Sequence, residues 1–135
     1  MTTDLRMVLG LPAEERSLGV VRRAVAAALS AWGFDDLVDD SRLVIDELAT
    51  NAVAELPGAW IEVRAEVGTD GLVLSCWDGS PNLPGAPGLP DDDAEDHRGL
   101  FIVDALSVKH GTTPTPDQGK WVWALMSTDS PAGMG

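Results

Sequence analysis

Hydrophobic positions recur with two different periods along this chain. Leu18, Val21, Val25, Ala28, Leu29 and Trp32 fall at three- and four-residue steps, which places them on one face of a helix. Gly33 is positioned to end that helix. The same spacing returns in Val44, Ile45, Leu48, Ala52 and Leu56. It predicts a second helix that starts near Asp40 or Ser41, either of which can cap it, and stops at Pro57-Gly58. The period then drops to two. Ile61, Val63, Ala65 and Val67 alternate with Glu62, Arg64 and Glu66, the signature of a half-buried strand over Trp60–Val67. Gly68-Thr69-Asp70-Gly71 reads as a hairpin turn, and Leu72–Trp77 as the returning strand with Asp78 at its end. Leu5–Leu11 predicts a first strand ended by Pro12. Arg98–Leu106 predicts a short third helix, and Ser107–His110 and Lys120–Met126 two closing strands. Between Asp78 and Asp96 there is no period, with four prolines and three glycines, and loops of that length in a compact domain are usually functional.

The order is strand, two helices, hairpin, long loop, helix, two strands. Each helix has one apolar stripe to bury, and a sheet covered on one face by helices would bury it. The expected fold is therefore α+β, a two-layer sandwich with a mixed, mainly antiparallel sheet and its helices on one face. Residues 1–127 form the expected domain and 128–135 a flexible tail. Trp32, Trp60, Trp77, Trp121 and Trp123 all fall in predicted elements, so core packing is their expected use. Cys76 lies within a strand and is expected to be inert.

Composition narrows the function classes. A length of 135 residues suits one domain, and 44% hydrophobic residues with a mean hydropathy of +0.03 fit a folded globular chain. With 9 basic against 22 acidic residues the formal charge is −13, which argues against nucleic acid, whose binding needs clustered lysine and arginine. One cysteine cannot form an internal disulfide. No signal-peptide pattern and no apolar run of membrane-spanning length is present, so a cytoplasmic location without membrane attachment is expected.

Three stretches carry candidate chemistry. In Leu43–Val53, Glu47 and Asn51 are four apart, one turn above the other at the border of the apolar arc of Val44, Leu48 and Ala52. A carboxylate there can orient a hydroxyl or water and take its proton, and an amide oxygen one turn on can ligate magnesium. Such pairs are also common on ordinary helices. Asp78-Gly79 ends a strand, where a carboxylate can accept a hydrogen bond from an exocyclic amine and glycine admits a planar ring. It is also a frequent turn signal. In His97-Arg98-Gly99-Leu100 a loop runs into a helix, and the exposed amides of such a junction bind phosphate, although plain helix initiation looks the same.

The order and spacing of ELATNAV, WDGSP, HRGLFIVDAL and GKWVWALM resemble the ATP-binding fold shared by gyrase and sensor histidine kinases. More closely, the chain looks like the compact anti-sigma-factor serine/threonine kinases of bacteria and the related single-domain regulators of actinobacteria. That resemblance implies ATP and Mg²⁺ as ligands. By the same resemblance, Glu47 serves as catalytic base, Asn51 holds magnesium against the phosphates, and Asp78 recognises adenine beside Gly79. Arg98, Gly99 and Leu100 cradle phosphates, Asp78–Asp96 forms an ATP lid, and Lys120 with Trp123 belongs to the closing strand of the nucleotide site. The implied acceptor is a serine or threonine of a small STAS-type antagonist, the alternative partner a sigma factor, and homodimerisation is a further expectation.

The chain departs from that pattern in places. His97 stands where relatives have glycine, and Ala54-Glu55 where they commonly carry a basic residue or histidine. Asp91, Asp92, Asp93, Glu95 and Asp96 precede the phosphate-binding turn, where their charge repels a triphosphate within about 8 Å. These differences leave a second function open: a non-catalytic protein of the same fold, with weakened or lost ATP binding, that regulates a partner by docking.

Overall fold

The computed structural model describes residues 5–81 and 101–128. Its elements run β1 (Arg6–Pro12), α1 (Glu15–Ala31), a 3₁₀ turn (Asp35–Leu37), α2 (Val38–Glu55), β2 (Trp60–Gly68), β3 (Gly71–Asp78), a helical segment α3 (residues 101–106), β4 (Lys109–Pro114) and β5 (Lys120–Met126). The five strands form one sheet in the order β1-β2-β3-β5-β4, and every neighbouring pair is antiparallel. The expected α+β sandwich is present, and its sheet is wholly antiparallel where a mixed one was allowed for.

The helical layer follows from the apolar stripes. Val21, Val25 and Leu29 of α1 are fully buried, as are Val44, Ile45 and Leu48 of α2, and they meet Ile61, Val63, Leu72 and Leu74 from the sheet. Helix α1 ends as its glycine predicts. Gly33 adopts φ +88, and the amides of Gly33 and Phe34 bond the carbonyls of Ser30 and Leu29 at 3.1 and 2.8 Å, which satisfies carbonyls the helix leaves over. Helix α2 starts earlier than expected: neither Asp40 nor Ser41 caps it, because the helical path is already under way at Asp35–Leu37. Asp35, Asp36, Asp39 and Asp40 all sit in these first turns, where negative charge is favoured by the helix dipole. Ser41 thus faces the core, fully buried and with no hydrogen-bond partner for its hydroxyl.

Strand β4 also differs, running from Lys109 to Pro114 instead of ending at His110. Ser107 still belongs to the preceding helix end, its hydroxyl donating to the Val103 carbonyl at 2.6 Å. The β-branched Thr112 and Thr113 instead pair with Val122 and Trp121. Of the predicted third helix, residues 98–100 lie outside the described residues, as does most of the long loop.

The tryptophans reverse an expectation. The register sets Ile61, Val63 and Ala65 toward the helices, so Trp60, Glu62, Arg64 and Glu66 point to the opposite face. By the same alternation Trp77, Trp121 and Trp123 lie on that face too. Trp60 is 59% exposed, the Arg64 guanidinium stacks 4.4 Å from the Trp121 ring centroid, and only Trp32 packs against the core. The tryptophans of the sheet therefore lie on the side that no described helix covers.

Two glycines separate flexible from fixed crowding. At Gly10 a Cβ would collide with the exposed Trp60 ring, which can swing aside. At Gly71, where φ is +140, it would strike the Met126 carbonyl oxygen, which cannot. Gly71→Ala is expected to lower the unfolding free energy by about 2 kcal/mol or more. Gly10→Ala should cost well under half as much, and urea titration of both variants checks the contrast.

Candidate functional site

The last rung between β3 and β5 pairs Asp78 with Lys120. Alternation along each strand puts both side chains on the helix-covered face, in phase with Leu74 and Cys76 on β3 and Val122 and Ala124 on β5. They are 2% and 1% exposed, and the Lys120 ammonium donates to Asp78 Oδ1 at 2.9 Å. The two chains can come so close because residue 119 is glycine. A Cβ there would lie 2.6 Å from the Asp78 carbonyl oxygen and 2.7 Å from the Trp77 indole.

Helix α2 delivers the rest. Glu47, Asn51 and Glu55 follow one another at four-residue steps along its half-buried border, beside the buried Val44, Leu48 and Ala52. At the end of that row, Glu55 Oε1 lies 3.6 Å from Lys120 Nζ and accepts the Ser80 hydroxyl at 2.7 Å. The Ser80 amide donates to Asp78 Oδ1 at 2.8 Å, which closes the network and folds Asp78-Gly79-Ser80 into a side-chain-capped turn. Asp78-Gly79 is therefore both the turn its sequence suggests and one wall of a polar cluster.

One ammonium here serves two carboxylates in a buried setting. Removing one partner of such a pair strands the other. Both bonds to Asp78 fall on Oδ1. No described residue donates to Oδ2, which stays available to a ligand donor. An exocyclic amine such as adenine's fits that arrangement. Among the described residues no cluster of three or more His, Cys, Asp or Glu side chains could hold a metal alone. A magnesium ion would combine the Asn51 oxygen with oxygens of a bound phosphate chain.

Of the residues singled out from sequence, Glu47 and Asn51 share the α2 border, and Asp78, Gly79 and Lys120 share the β3–β5 end. His97, Arg98, Gly99, Leu100 and the acidic run from Asp91 to Asp96 lie outside the described residues. Glu55 and Ser80 were not foreseen as partners of this site. Glu55 had one signal, its four-residue step from Asn51. The contact with Lys120 depends on strand register, which the sequence does not display.

Residues 11–126 match the family described as the histidine kinase-like ATPase domain. The chain belongs to that family. As a histidine kinase-like ATPase domain it has an ATP-binding fold, and the Glu47–Asn51–Glu55 border and the Asp78 rung both lie within the matched span. No protein of curated function matches the chain. No helix among the described residues is long and apolar enough to cross a membrane. The open groove of about 310 Å³ lined by Arg22, Asp39, Arg42, Leu43 and Asp46 is a separate feature between α1 and α2 and contains none of the site residues of this ATPase domain.

Two stability effects follow. Lys120→Met leaves Asp78 and Glu55 without their shared cation and is expected to cost about 3–5 kcal/mol, against a smaller loss for Glu55→Gln. Chemical denaturation of the two variants measures the difference. Burial, and secondarily the Asp78 charge, pushes the Cys76 thiol up from 9.0 to about 12. Because the folded state holds the proton more tightly, this contribution is complete below pH 9 and is lost as pH rises from 9 towards 12. The stability gap between the wild type and Cys76→Ala should therefore shift steadily over that range, and parallel curves would contradict it.

Proposed function

We propose that this domain is an ATP-binding regulator of the anti-sigma-factor kinase type, transferring the γ-phosphoryl group of ATP to a serine or threonine of a small STAS-type antagonist protein. The observation that supports this reading is the continuous row Glu47–Asn51–Glu55, whose last member meets Lys120 and Ser80 around Asp78. A catalytic border and a base-reading carboxylate thereby belong to one wall. Phosphoryl transfer asks the protein mainly for positioning and charge neutralisation. Asp78 Oδ2 would accept the adenine amine, Asn51 would hold Mg²⁺ on the phosphates, and the amides around Arg98, Gly99 and Leu100 would take phosphate oxygens. Glu47 would orient the acceptor hydroxyl and take its proton as the new O–P bond forms and the bond to the ADP oxygen breaks.

Glu55 is no obstacle to nucleotide binding in this reading, because Lys120 and Ser80 engage its carboxylate. In the alternative state the same domain would hold a sigma factor in the cytoplasm. A second copy would pair across the uncovered sheet face, where Trp60 and Val8 are exposed.

Glu47→Ala is expected to bind Mg-ATP within about threefold of wild type while its transfer to a cognate antagonist falls by about 100-fold or more. Asn51→Ala should lose both. Titration calorimetry and a phosphorylation assay with the purified antagonist separate these outcomes. Mg-ATP binding with no transfer to any acceptor would favour a docking regulator of the same fold.

A further inference from the structure

A carboxyl group offers a ligand one of two opposite faces. Ionised, it only accepts hydrogen bonds, and protonated it also donates one. In a site 98% removed from water by its 2% exposure, the ionised form of Asp78 needs a nearby cation. Lys120 from β5 is the only basic residue described in contact with it, at 2.9 Å. The other groups around the pair do not supply positive charge. Glu55 from α2 competes for the same ammonium at 3.6 Å, Ser80 gives a neutral N–H, and Cys76 on β3 is a neutral thiol.

The two purine classes differ at the same place. A 6-aminopurine such as adenine presents a donor at position 6, and a 6-oxopurine such as hypoxanthine presents an acceptor. An acceptor-only Oδ2 bonds the first and repels the second. We propose that Lys120 is a positioning residue for base specificity: by holding Asp78 as a carboxylate with Oδ2 unengaged, it selects 6-amino over 6-oxo purine nucleotides. The inference rests on the ATP-binding reading above. Without the Lys120 charge, the buried carboxyl beside Glu55 takes up a proton. Oδ1 continues to accept from the Ser80 amide, so the proton resides on Oδ2 and turns it into a donor that matches a 6-oxo group.

The test is calorimetric titration of the full chain with Mg-ATP and Mg-ITP, in wild type, Lys120→Met and Lys120→Gln. Gln keeps a donor near Asp78 and removes only the charge. Wild type is expected to prefer ATP by about tenfold or more, since the wrong base leaves a buried acceptor facing an acceptor. Both variants should bring the ratio below about threefold or invert it. A lesion that merely loosens the site weakens both nucleotides alike and leaves the ratio unchanged, so a cooperatively melting variant with the wild-type ratio overturns the proposal. Glu55→Gln leaves Lys120 wholly to Asp78, and its ratio should hold or rise. A fall there overturns the proposal even if neither Lys120 variant folds. Equal wild-type affinity for ATP and ITP overturns it while the ATP-binding reading stands. Absence of ATP binding at millimolar concentration overturns both.

Discussion

The contact between the Lys120 ammonium and the Asp78 carboxylate, at the last rung of β3 and β5, organises the polar groups at that end of the sheet. The contact constrains three elements at once. It requires the two strands to pair in one register, because a slip of one residue in either strand would turn its charge to the open face and part it from its partner. It requires glycine at position 119, since any side chain there would strike Asp78 and Trp77. It also draws in the end of α2, where Glu55 adds a second negative charge 3.6 Å from the ammonium. The apolar core would form without this contact. The arrangement of groups at the end of the sheet would not.

How much of this was legible in the chain depends on the range of the interaction concerned. The helix stripes as far as Ala52, the Gly33 stop and the β2–β3 hairpin are local patterns that lie where their residues predict, whereas Leu56, expected on the second stripe, falls just past α2 and is exposed. Helix α2 starts ahead of the capping residues Asp40 and Ser41, because Asp35, Asp36, Asp39 and Asp40 together favour helix earlier than any one of them would. The placement of the sheet tryptophans was present in the pattern as phase: Trp60 alternates with Ile61 in step with Glu62 and Arg64, on the polar side. Residue type suggested core and phase indicated the surface. Phase decides, because the geometry of a strand does not depend on what its side chains prefer.

The site was legible in the same uneven way. Glu47 and Asn51 are neighbours through helical spacing alone, and Asp78 is a strand-end carboxylate on local grounds. The partnership of Asp78 with Lys120 spans 42 positions of sequence and rests on a register that no single strand encodes. Glu55 illustrates the consequence. Taken alone it adds negative charge to a site meant for phosphates. In the fold its charge is met by Lys120, and it becomes a support for the wall.

Charge accounting gives the site its remaining logic. Arg6, Arg16, Arg22 and Arg64 each pair with a carboxylate on or near the surface, where such pairs contribute at most about 1 kcal/mol. Lys120 alone among the described cations is buried, and two carboxylates hold it. It is thus committed to Asp78 and Glu55, the base end of the site in the proposed reading. In a chain of formal charge −13, phosphate binding in the proposed reading would draw on Arg98 and on groups that are not side-chain cations. Backbone amides at a helix start and a divalent ion held by an amide oxygen are such groups, and neither adds a cationic side chain to the wall. An asparagine, where a further carboxylate might have stood, one turn beyond Glu47 is consistent with that requirement.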